Sequence, residues 1–264
     1  MTEVIIVPSP AAGGVLVAEA IVALVRRRAD AVLGLATGSS PLPVYTALRP
    51  HAALLRDVRG FALDEYVGLP AGHPESYRAV IEREVVVPLG LDPARVRVPG
   101  DDLAEGLGYE ASLADAGDRY EAAIAAAGGV DLQLLGIGAT GHIGFNEPGS
   151  SFASRTRVKT LTEQTRRDNA RFFAAPDEVP LHCITQGLGT ILAARHLVLL
   201  AFGAAKAAAL AAAVEGPVTS SLPGSAIQLH GRVTVVVDEA AASALRFADY
   251  YRHAWVHKPA WQGL

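Results

Sequence analysis

The sequence predicts an α/β fold built on one doubly wound, mostly parallel sheet with helices on both faces, as in Rossmann-like proteins. Two observations predict it. Short apolar runs alternate with helical patterns along the whole chain, and the runs are continuously apolar, as in strands buried on both faces. There is no internal repeat, low-complexity tract or linker, so residues 1–264 are expected to form a single domain.

The first half of the chain supplies five of the predicted strands. The run EVIIV (3–7) precedes an amphipathic helix over 11–28, and AVLGLA (31–36) ends in the turn TGSSP. Ser40 before Pro41 predicts a helix start, with a hydroxyl cap followed by proline at the first helical position. The other elements expected here are strands at 59–63, 95–98 and 130–135 and helices at 74–87 and 109–127, with a loop before residue 109.

The second half continues the alternation. A polar stretch (154–162) leads to a helix over 163–173, and strands are expected at 181–185, 196–202 and 233–237. The helices expected between and after these strands are a glycine-containing one, one at 204–214 and one at the C-terminus. The charged stretch 154–180 lies between scaffold segments and could close over a ligand as a lid.

Composition excludes several classes of protein. Of the 264 residues, 50% are hydrophobic and 19% charged, which favours a substantial core over disorder. The apolar stretches are too short or interrupted to span a membrane, and Met1 leads directly into a strand without a signal-peptide pattern. The single cysteine, Cys183, excludes an intrachain disulfide, so the cytoplasm is the expected location. A net charge of −4 without long basic runs argues against nucleic acid as a partner.

Polar groups follow several predicted strands and should meet at one edge of the sheet. The turn Thr37-Gly38-Ser39-Ser40 offers backbone N–H groups and hydroxyls to a phosphate or carboxylate, although any capped helix looks similar. Lys206 follows another strand and could pair with the same anion, or could simply be solvated. Asp64 ends an apolar strand and is a candidate general base, the alternative being a turn aspartate.

The most informative stretch is GIGATGHIGFNEPGSS (136–151), which follows the 130–135 strand. It carries His142 and Glu147 among five glycines, so that backbone can approach a ligand beside two proton-transfer groups. His142 titrates near neutrality, and Glu147 could orient it or share its proton. A metal site is the weaker interpretation, because no third ligand stands at a recognised spacing.

Several long blocks of the chain closely resemble the glucosamine-6-phosphate deaminase family. They are FALDEYVGLPAGHPESY (61–77), LLGIGATGHIGFNEPGSSFASRTRVKTLT (134–162), TRRDNARFF (165–173), and the shorter ATGSSP, ITQGLGTIL, FGAAKAAAL and AAVEGPV. The resemblance implies conversion of glucosamine 6-phosphate and water to fructose 6-phosphate and ammonia, without a metal or organic cofactor. Its implied partner is thus a small sugar phosphate, with no nucleic acid and no membrane.

The resemblance also assigns roles to residues. Asp64 matches the base that moves a proton between C2 and C1, and His142 matches the ring-opening group, with Glu147 in its charge network. The matches for phosphate binding are Thr37, Gly38, Ser39, Ser40, Arg171 and Lys206. The chemistry agrees, because an aldose-to-ketose shift needs a ring-opening acid/base and a base over C2, with the substrate held at its remote phosphate.

One position departs from the family pattern. The best-studied members carry an aspartate two residues before the ring-opening histidine, whereas this chain has Thr140. A hydroxyl can hydrogen-bond an imidazole but cannot stabilise an imidazolium by charge. We therefore expect ring opening to depend more on Glu147 than on Thr140.

Some family members are hexamers activated by N-acetylglucosamine 6-phosphate at a subunit interface, so this chain could be a homo-oligomer. The residues that match the effector site are Ser150, Arg157, Lys159 and Thr160. Of these, Arg157 and Lys159 could instead be exposed strand charges or interface ion pairs. A tyrosine that the family contributes from near its C-terminus is not clearly aligned, although Tyr250 and Tyr251 lie close.

Three other functions stay open. A 6-phosphogluconolactonase shares the Gly-His-Ile loop, but the Asn146-Glu147-Pro148 triplet favours the deaminase. A deaminase acting on another aminosugar phosphate, such as galactosamine 6-phosphate, would look the same at this level. A sugar-phosphate sensor is disfavoured, since a strand predicted from residue 3 leaves no room for a preceding helix-turn-helix.

Overall fold

The core of the computed structural model, which describes residues 2–103 and 109–264, is a parallel sheet buried on both faces. Met1 and part of the loop predicted before residue 109 lie outside the described residues. The strands are β1 (Thr2–Val7), β2 (Val32–Leu35), β3 (Arg59–Ala62), β4 (Asp64–Val67), β5 (Val96–Arg97), β6 (Leu132–Leu135), β7 (Arg157–Thr160), β8 (His182–Thr185), β9 (Leu197–Ala201) and β10 (Val233–Asp238).

Seven of these strands form the main sheet in the order β1-β10-β9-β6-β2-β3-β5, and every pair in it is parallel. All residues of β2, β6 and β9 are buried, which requires cover on both faces of the sheet. The predicted doubly wound α/β class is therefore confirmed.

Helices lie between the strands and after the last one. They are α1 (Pro10–Arg27), α2 (Leu42–Leu48), α3 (Ala52–Leu55), α4 (Tyr77–Ile81), α5 (Val87–Leu89), α6 (Tyr109–Ala126), α7 (Glu163–Asn169), α8 (Leu188–Leu192), α9 (Ala207–Glu215), α10 (Glu239–Ala242) and α11 (Ala248–Val256). A π-helical segment, Glu82–Val86, joins α4 to α5, so the predicted 74–87 helix is real but starts later and is not regular. Within the described residues, no helix has the length and apolar character needed to cross a membrane.

A second, smaller sheet was not expected from the sequence. Strand β8 pairs antiparallel with both β4 and β7, so the 181–185 strand does not join the main sheet. Strand β7 falls inside the stretch predicted only as polar. The smaller sheet packs on a separate apolar cluster, formed by Tyr66, Phe145, Leu161, Val179 and Cys183.

The strand order creates a switch point between β2 and β6. From β2 the chain proceeds to β3 and β5 on one side, whereas β6, β9 and β10 follow one another on the other side. In open α/β sheets, ligands bind beyond the carboxyl ends of the strands at such a point. The turn after β2 and the glycine-rich loop after β6 both lie there.

Candidate active site

A cavity of about 510 Å³ opens at the carboxyl ends of the central strands, which is a usual volume for a small-molecule site. Its walls come from the turn after β2, the start of β4, the loop after β6, the α7 region and the segment after β9. The sequence-predicted residues that line it are Thr37, Gly38, Ser39, Ser40, Asp64, His142, Arg171 and Lys206. The structure thus brings the candidate base, the loop histidine and the candidate anion ligands into one space.

The turn after β2 forms one end of the cavity. The hydroxyl of Tyr45 accepts a hydrogen bond from the backbone N–H of Ala36 (3.1 Å) and donates one to its carbonyl (2.8 Å), which fixes the end of the strand. Gly38 has φ of +85°, a conformation that favours glycine and exposes the backbone of the turn. The predicted capping by Ser40 is wrong by one residue. Pro41 is itself the cap, because its carbonyl accepts from the N–H groups of both Val44 and Tyr45.

Asp64 is the first residue of β4 rather than a loop residue after β3. It pairs with Thr185 in the smaller sheet and is only 6% exposed. Burial raises the pKa of Asp64 to about 8, the neighbouring Glu65 carboxylate adds to the shift, and a hydrogen bond from the Phe145 backbone opposes it. A carboxylate that is this costly to ionise is a strong base once it has lost its proton.

His142 rests on the backbone of its own loop. A Cβ atom at Gly138 would lie 2.1 Å from the ring Cε1, so only glycine leaves room for the imidazole there. The hydroxyl oxygen of Thr140 lies 2.8 Å from Nδ1. Burial lowers the pKa of His142, and the Lys206 ammonium acts in the same direction while Glu147 opposes both. The geometry favours an imidazole that is neutral at rest and can exchange a proton.

Glu147 does not line the cavity but lies behind the imidazole, 3% exposed. Its Oε1 accepts hydrogen bonds from the hydroxyl (3.0 Å) and backbone N–H (3.3 Å) of Thr162. Its Oε2 lies 3.7 Å from Nδ1 of His142 and has no hydrogen-bond partner among the described residues. Thr140 and Glu147 therefore both lie next to Nδ1 of His142. The Thr140 hydroxyl is at hydrogen-bond distance, and the Glu147 carboxylate lies just beyond that distance.

Two cations face the same cavity. The ammonium of Lys206 donates to the carbonyl of Ile137 at 2.8 Å, and burial, reinforced by the positive charge of Arg171, lowers its pKa. Arg171 lies in a 3-10 turn after α7, with its guanidinium 4.8 Å from the ring centre of Phe172. Two cations held near each other with few anionic partners provide a place for a dianionic group.

The four residues that match an effector site lie elsewhere, away from the cavity lining. Arg157, Lys159 and Thr160 belong to β7, and the hydroxyl of Ser150 is 3.3 Å from Nη2 of Arg157. Thr160 contacts Nδ1 of His182 at 3.2 Å. Arg157 is thus engaged within the chain.

The cavity also contains groups that the sequence did not single out. Tyr77 lines the wall and stacks on Phe145 with ring centres 5.6 Å apart. Asp168 brings a further carboxylate, held by the amide of Gln164 at 2.8 Å. Both lie within the family-like blocks, but no spacing rule marks them. Among residues 2–103 and 109–264, the cavity included, no three His, Cys, Asp or Glu side chains are grouped so as to hold a metal ion.

Comparison with known proteins agrees with this geometry. The family described as glucosamine-6-phosphate isomerases/6-phosphogluconolactonase matches residues 11–236. Glucosamine-6-phosphate deaminase from Bifidobacterium longum (strain DJO10A) is 59% identical over 271 residues, covering 100% of both chains. The same enzyme from Streptomyces coelicolor is 60% identical over 267 residues, covering 99% of this chain and 100% of its own.

Solved structures give the same result. A monomeric glucosamine-6-phosphate deaminase superposes with a TM-score of 0.84 at 39% identity, covering 92% of this chain and 99% of that one. A 6-phosphogluconolactonase from Trypanosoma cruzi has a TM-score of 0.72 at 22% identity, covering 93% and 97%, which shows a shared fold. This chain belongs to the glucosamine-6-phosphate isomerase/6-phosphogluconolactonase family.

Proposed function

We propose that this chain converts glucosamine 6-phosphate and water to fructose 6-phosphate and ammonia. The observation that carries the proposal is that Asp64 and His142 line the same cavity as two cations, Arg171 and Lys206. The reaction needs such a set, namely a base over C2, a group that opens the ring and a distant hold on the phosphate. The full-length relatives near 60% identity carry the name of this enzyme, which supports the same assignment.

The phosphate would bind between the Thr37–Ser40 turn and the two cations. The turn supplies hydroxyls and backbone N–H groups, while Arg171 and Lys206 supply charge. Charge-assisted hydrogen bonds at C6 orient the sugar without touching the reacting carbons, so binding energy there serves to position C1 and C2.

Ring opening would begin at His142. A proton on Nδ1 can be shared with the Thr140 hydroxyl and the Glu147 carboxylate, which leaves Nε2 to exchange a proton with the sugar ring oxygen or the anomeric hydroxyl. When the imidazole becomes positively charged during this transfer, the buried Glu147 carboxylate stabilises that charge. We therefore propose that Glu147 contributes more than Thr140 to ring opening.

Asp64 would then carry the C2 proton to C1. Removing the proton from C2 of the open aldehyde gives an enol, and returning it to C1 gives an imine at C2. Water adds to the imine carbon, and ammonia leaves to give the ketose. A pKa of about 8 makes the ionised Asp64 carboxylate a strong proton acceptor, and the substrate's own ammonium would favour that ionised form on binding.

We further propose that the chain works in the cytoplasm, since phosphorylated sugars are charged and do not cross membranes. We propose as well that the chain forms a single domain, that residues 154–180 act as a lid, and that the chain assembles into a homo-oligomer.

Activation by N-acetylglucosamine 6-phosphate would use Ser150, Arg157, Lys159 and Thr160. Sigmoidal kinetics that become hyperbolic with this effector would support it, and light scattering would report the oligomer.

The test of the main proposal is ammonia release by the purified chain. Glucosamine 6-phosphate, galactosamine 6-phosphate and 6-phosphogluconolactone are compared as substrates, with Asp64→Asn run in parallel. Ammonia from the first sugar that disappears in the variant is the expected result. Lactone hydrolysis without ammonia release would refute the assignment.

A further inference from the structure

One buried amide joins the parts of the site that carry the proposed base and the proposed ring-opening group. Asn146 is 0% exposed and lies directly before Glu147. Its Nδ2 donates to the carbonyls of Ile143 (3.0 Å) and Gln186 (2.8 Å). Its Oδ1 accepts from Nη1 of Arg157 at 2.9 Å. The donors and the acceptor of this amide are thus all engaged, so the side chain has one orientation.

The second of those contacts leads to the strand end that carries Asp64. The backbone N–H of Gln186 donates to the carbonyl of Leu63 (2.7 Å), and its Nε2 donates to that of Ala62 (2.9 Å). Leu63 immediately precedes Asp64. Two amides in series therefore connect the loop of His142 and Glu147 to the end of β3.

We propose that Asn146 is a positioning residue that holds the loop 136–151 at its working distance from Asp64, and that ring opening depends on it. The inference rests on the proposed function. Asp64 is held independently by the pairing of β4 with β8. The loop has no such ladder: its bridge between Ile143 and Asn146 is internal, and besides the Asn146 amide it is tied by separate bonds such as that from the Phe145 N–H to the Thr185 hydroxyl (3.1 Å). Loss of the amide would therefore move the ring-opening groups first and leave the C2 base in place.

Two substitutions separate this role from simple packing. Asn146→Leu has nearly the same shape and removes all three hydrogen bonds. Asn146→Asp keeps the acceptor for Arg157 but sets a carboxylate oxygen against the carbonyls of Ile143 and Gln186. Gln133→Met is the matched control, because Gln133 is also 0% exposed and its Nε2 donates only to the nearby carbonyl of Leu134 (2.9 Å).

The measurement is the primary isotope effect on kcat/KM with glucosamine 6-phosphate deuterated at C2. Ring opening comes before C2 proton transfer, so when ring opening becomes the slow step the isotope effect is suppressed. A smaller fraction of well-folded enzyme, by contrast, lowers the rate and leaves the isotope effect unchanged. We expect both Asn146 variants to lose about 100-fold in kcat/KM, the usual cost of a misplacement near 1 Å, with the isotope effect falling toward unity. Gln133→Met should keep the isotope effect and stay within about threefold in rate, since it lies outside the contact chain.

The comparison is repeated in an Asp64→Glu background, where a displaced base makes C2 transfer slow and the isotope effect large. Asn146→Ser replaces Asn146→Leu should the latter not fold. An isotope effect that survives or grows in the Asn146 variants would overturn the positioning role while leaving the deaminase intact. A wild-type chain that releases no ammonia would overturn the proposed function as well.

Discussion

Replacing Asp64 by asparagine should stabilise the protein relative to the wild type, by an amount that grows as the pH rises, and should abolish activity. The folded pKa of about 8 lies above the ordinary 3.8, so the folded protein keeps a proton that the unfolded chain releases. Between these two values the unfolded state binds fewer protons, and the wild-type protein loses stability as the pH rises. Above about pH 8 the loss levels off.

The size of the effect follows from the same values. A difference of about 4 pH units at about 1.4 kcal/mol each gives a ceiling of about 6 kcal/mol above pH 8. At pH 5 the pH is only about one unit above the ordinary pKa, so keeping Asp64 protonated in the folded state costs about 2 kcal/mol of stability there. The stability advantage of Asp64→Asn should therefore grow by up to about 4 kcal/mol between pH 5 and pH 8.5.

Urea unfolding of both proteins at the two pH values measures this difference, since other groups contribute equally to both. Asp102→Asn is the control. Its hydrogen bond with Arg119 lowers the pKa of Asp102, so this carboxylate is ionised at both pH values and its replacement should shift stability equally at each. An advantage of Asp64→Asn that stays flat or shrinks with rising pH would mean that Asp64 is already ionised in the folded protein.

Four further substitutions test the glycine-rich loop and the phosphate end of the cavity. Glu147→Gln should lower kcat by about 100-fold and Thr140→Ala by about tenfold, because only the carboxylate stabilises a charged His142; a larger loss in Thr140→Ala would contradict this. Gly138→Ala should lose at least about 100-fold in kcat/KM with little change in melting temperature, because its methyl group would displace the imidazole; near-normal kinetics would show that the ring can shift freely. Lys206→Met should raise KM by about 10- to 100-fold, the loss of a hydrogen bond to a charged group, and inorganic phosphate should inhibit it correspondingly less; an unchanged KM would place the phosphate elsewhere.

The main sheet could be predicted from the sequence because its signal is local. Most of the parallel strands are short apolar runs, and two central ones are soon followed by glycine and serine, as at Leu35 before the Thr37–Ser40 turn and Leu135 before the 136–151 loop. The meeting of these ends at one cavity follows from the general rule for parallel sheets.

The smaller sheet could not be predicted because its signal is not local. Strand β7 reads Arg-Val-Lys-Thr and is half-buried or exposed throughout, so no apolar face marks it as a strand. A single residue, Leu63, separates the end of β3 from the start of β4, which hides the change of sheet inside what looks like one continuous strand. Antiparallel pairing of β4 with β8 joins segments more than 100 residues apart, and only tertiary structure reveals it.

The position of Asp64 in that smaller sheet explains how a buried carboxylate can face a mobile sugar. If Asp64 ended a strand of the main sheet in a loop, solvent and loop motion would lower its pKa and blur its position. At the head of β4 it is fixed by pairing with Thr185, whose hydroxyl also accepts the N–H of Phe145 from the glycine-rich loop at 3.1 Å. A Cβ at Gly144 would lie in ordinary contact with Oδ2 of Asp64 (3.5 Å) and in tight contact with the hydroxyl oxygen of Thr185 (3.1 Å), and the residue has φ of +54°, so glycine suits the point where the loop approaches Asp64. The smaller sheet therefore fixes the position of Asp64, and glycine lets the loop that carries His142 lie close to it. The main sheet positions the Thr37–Ser40 turn, where the phosphate would bind.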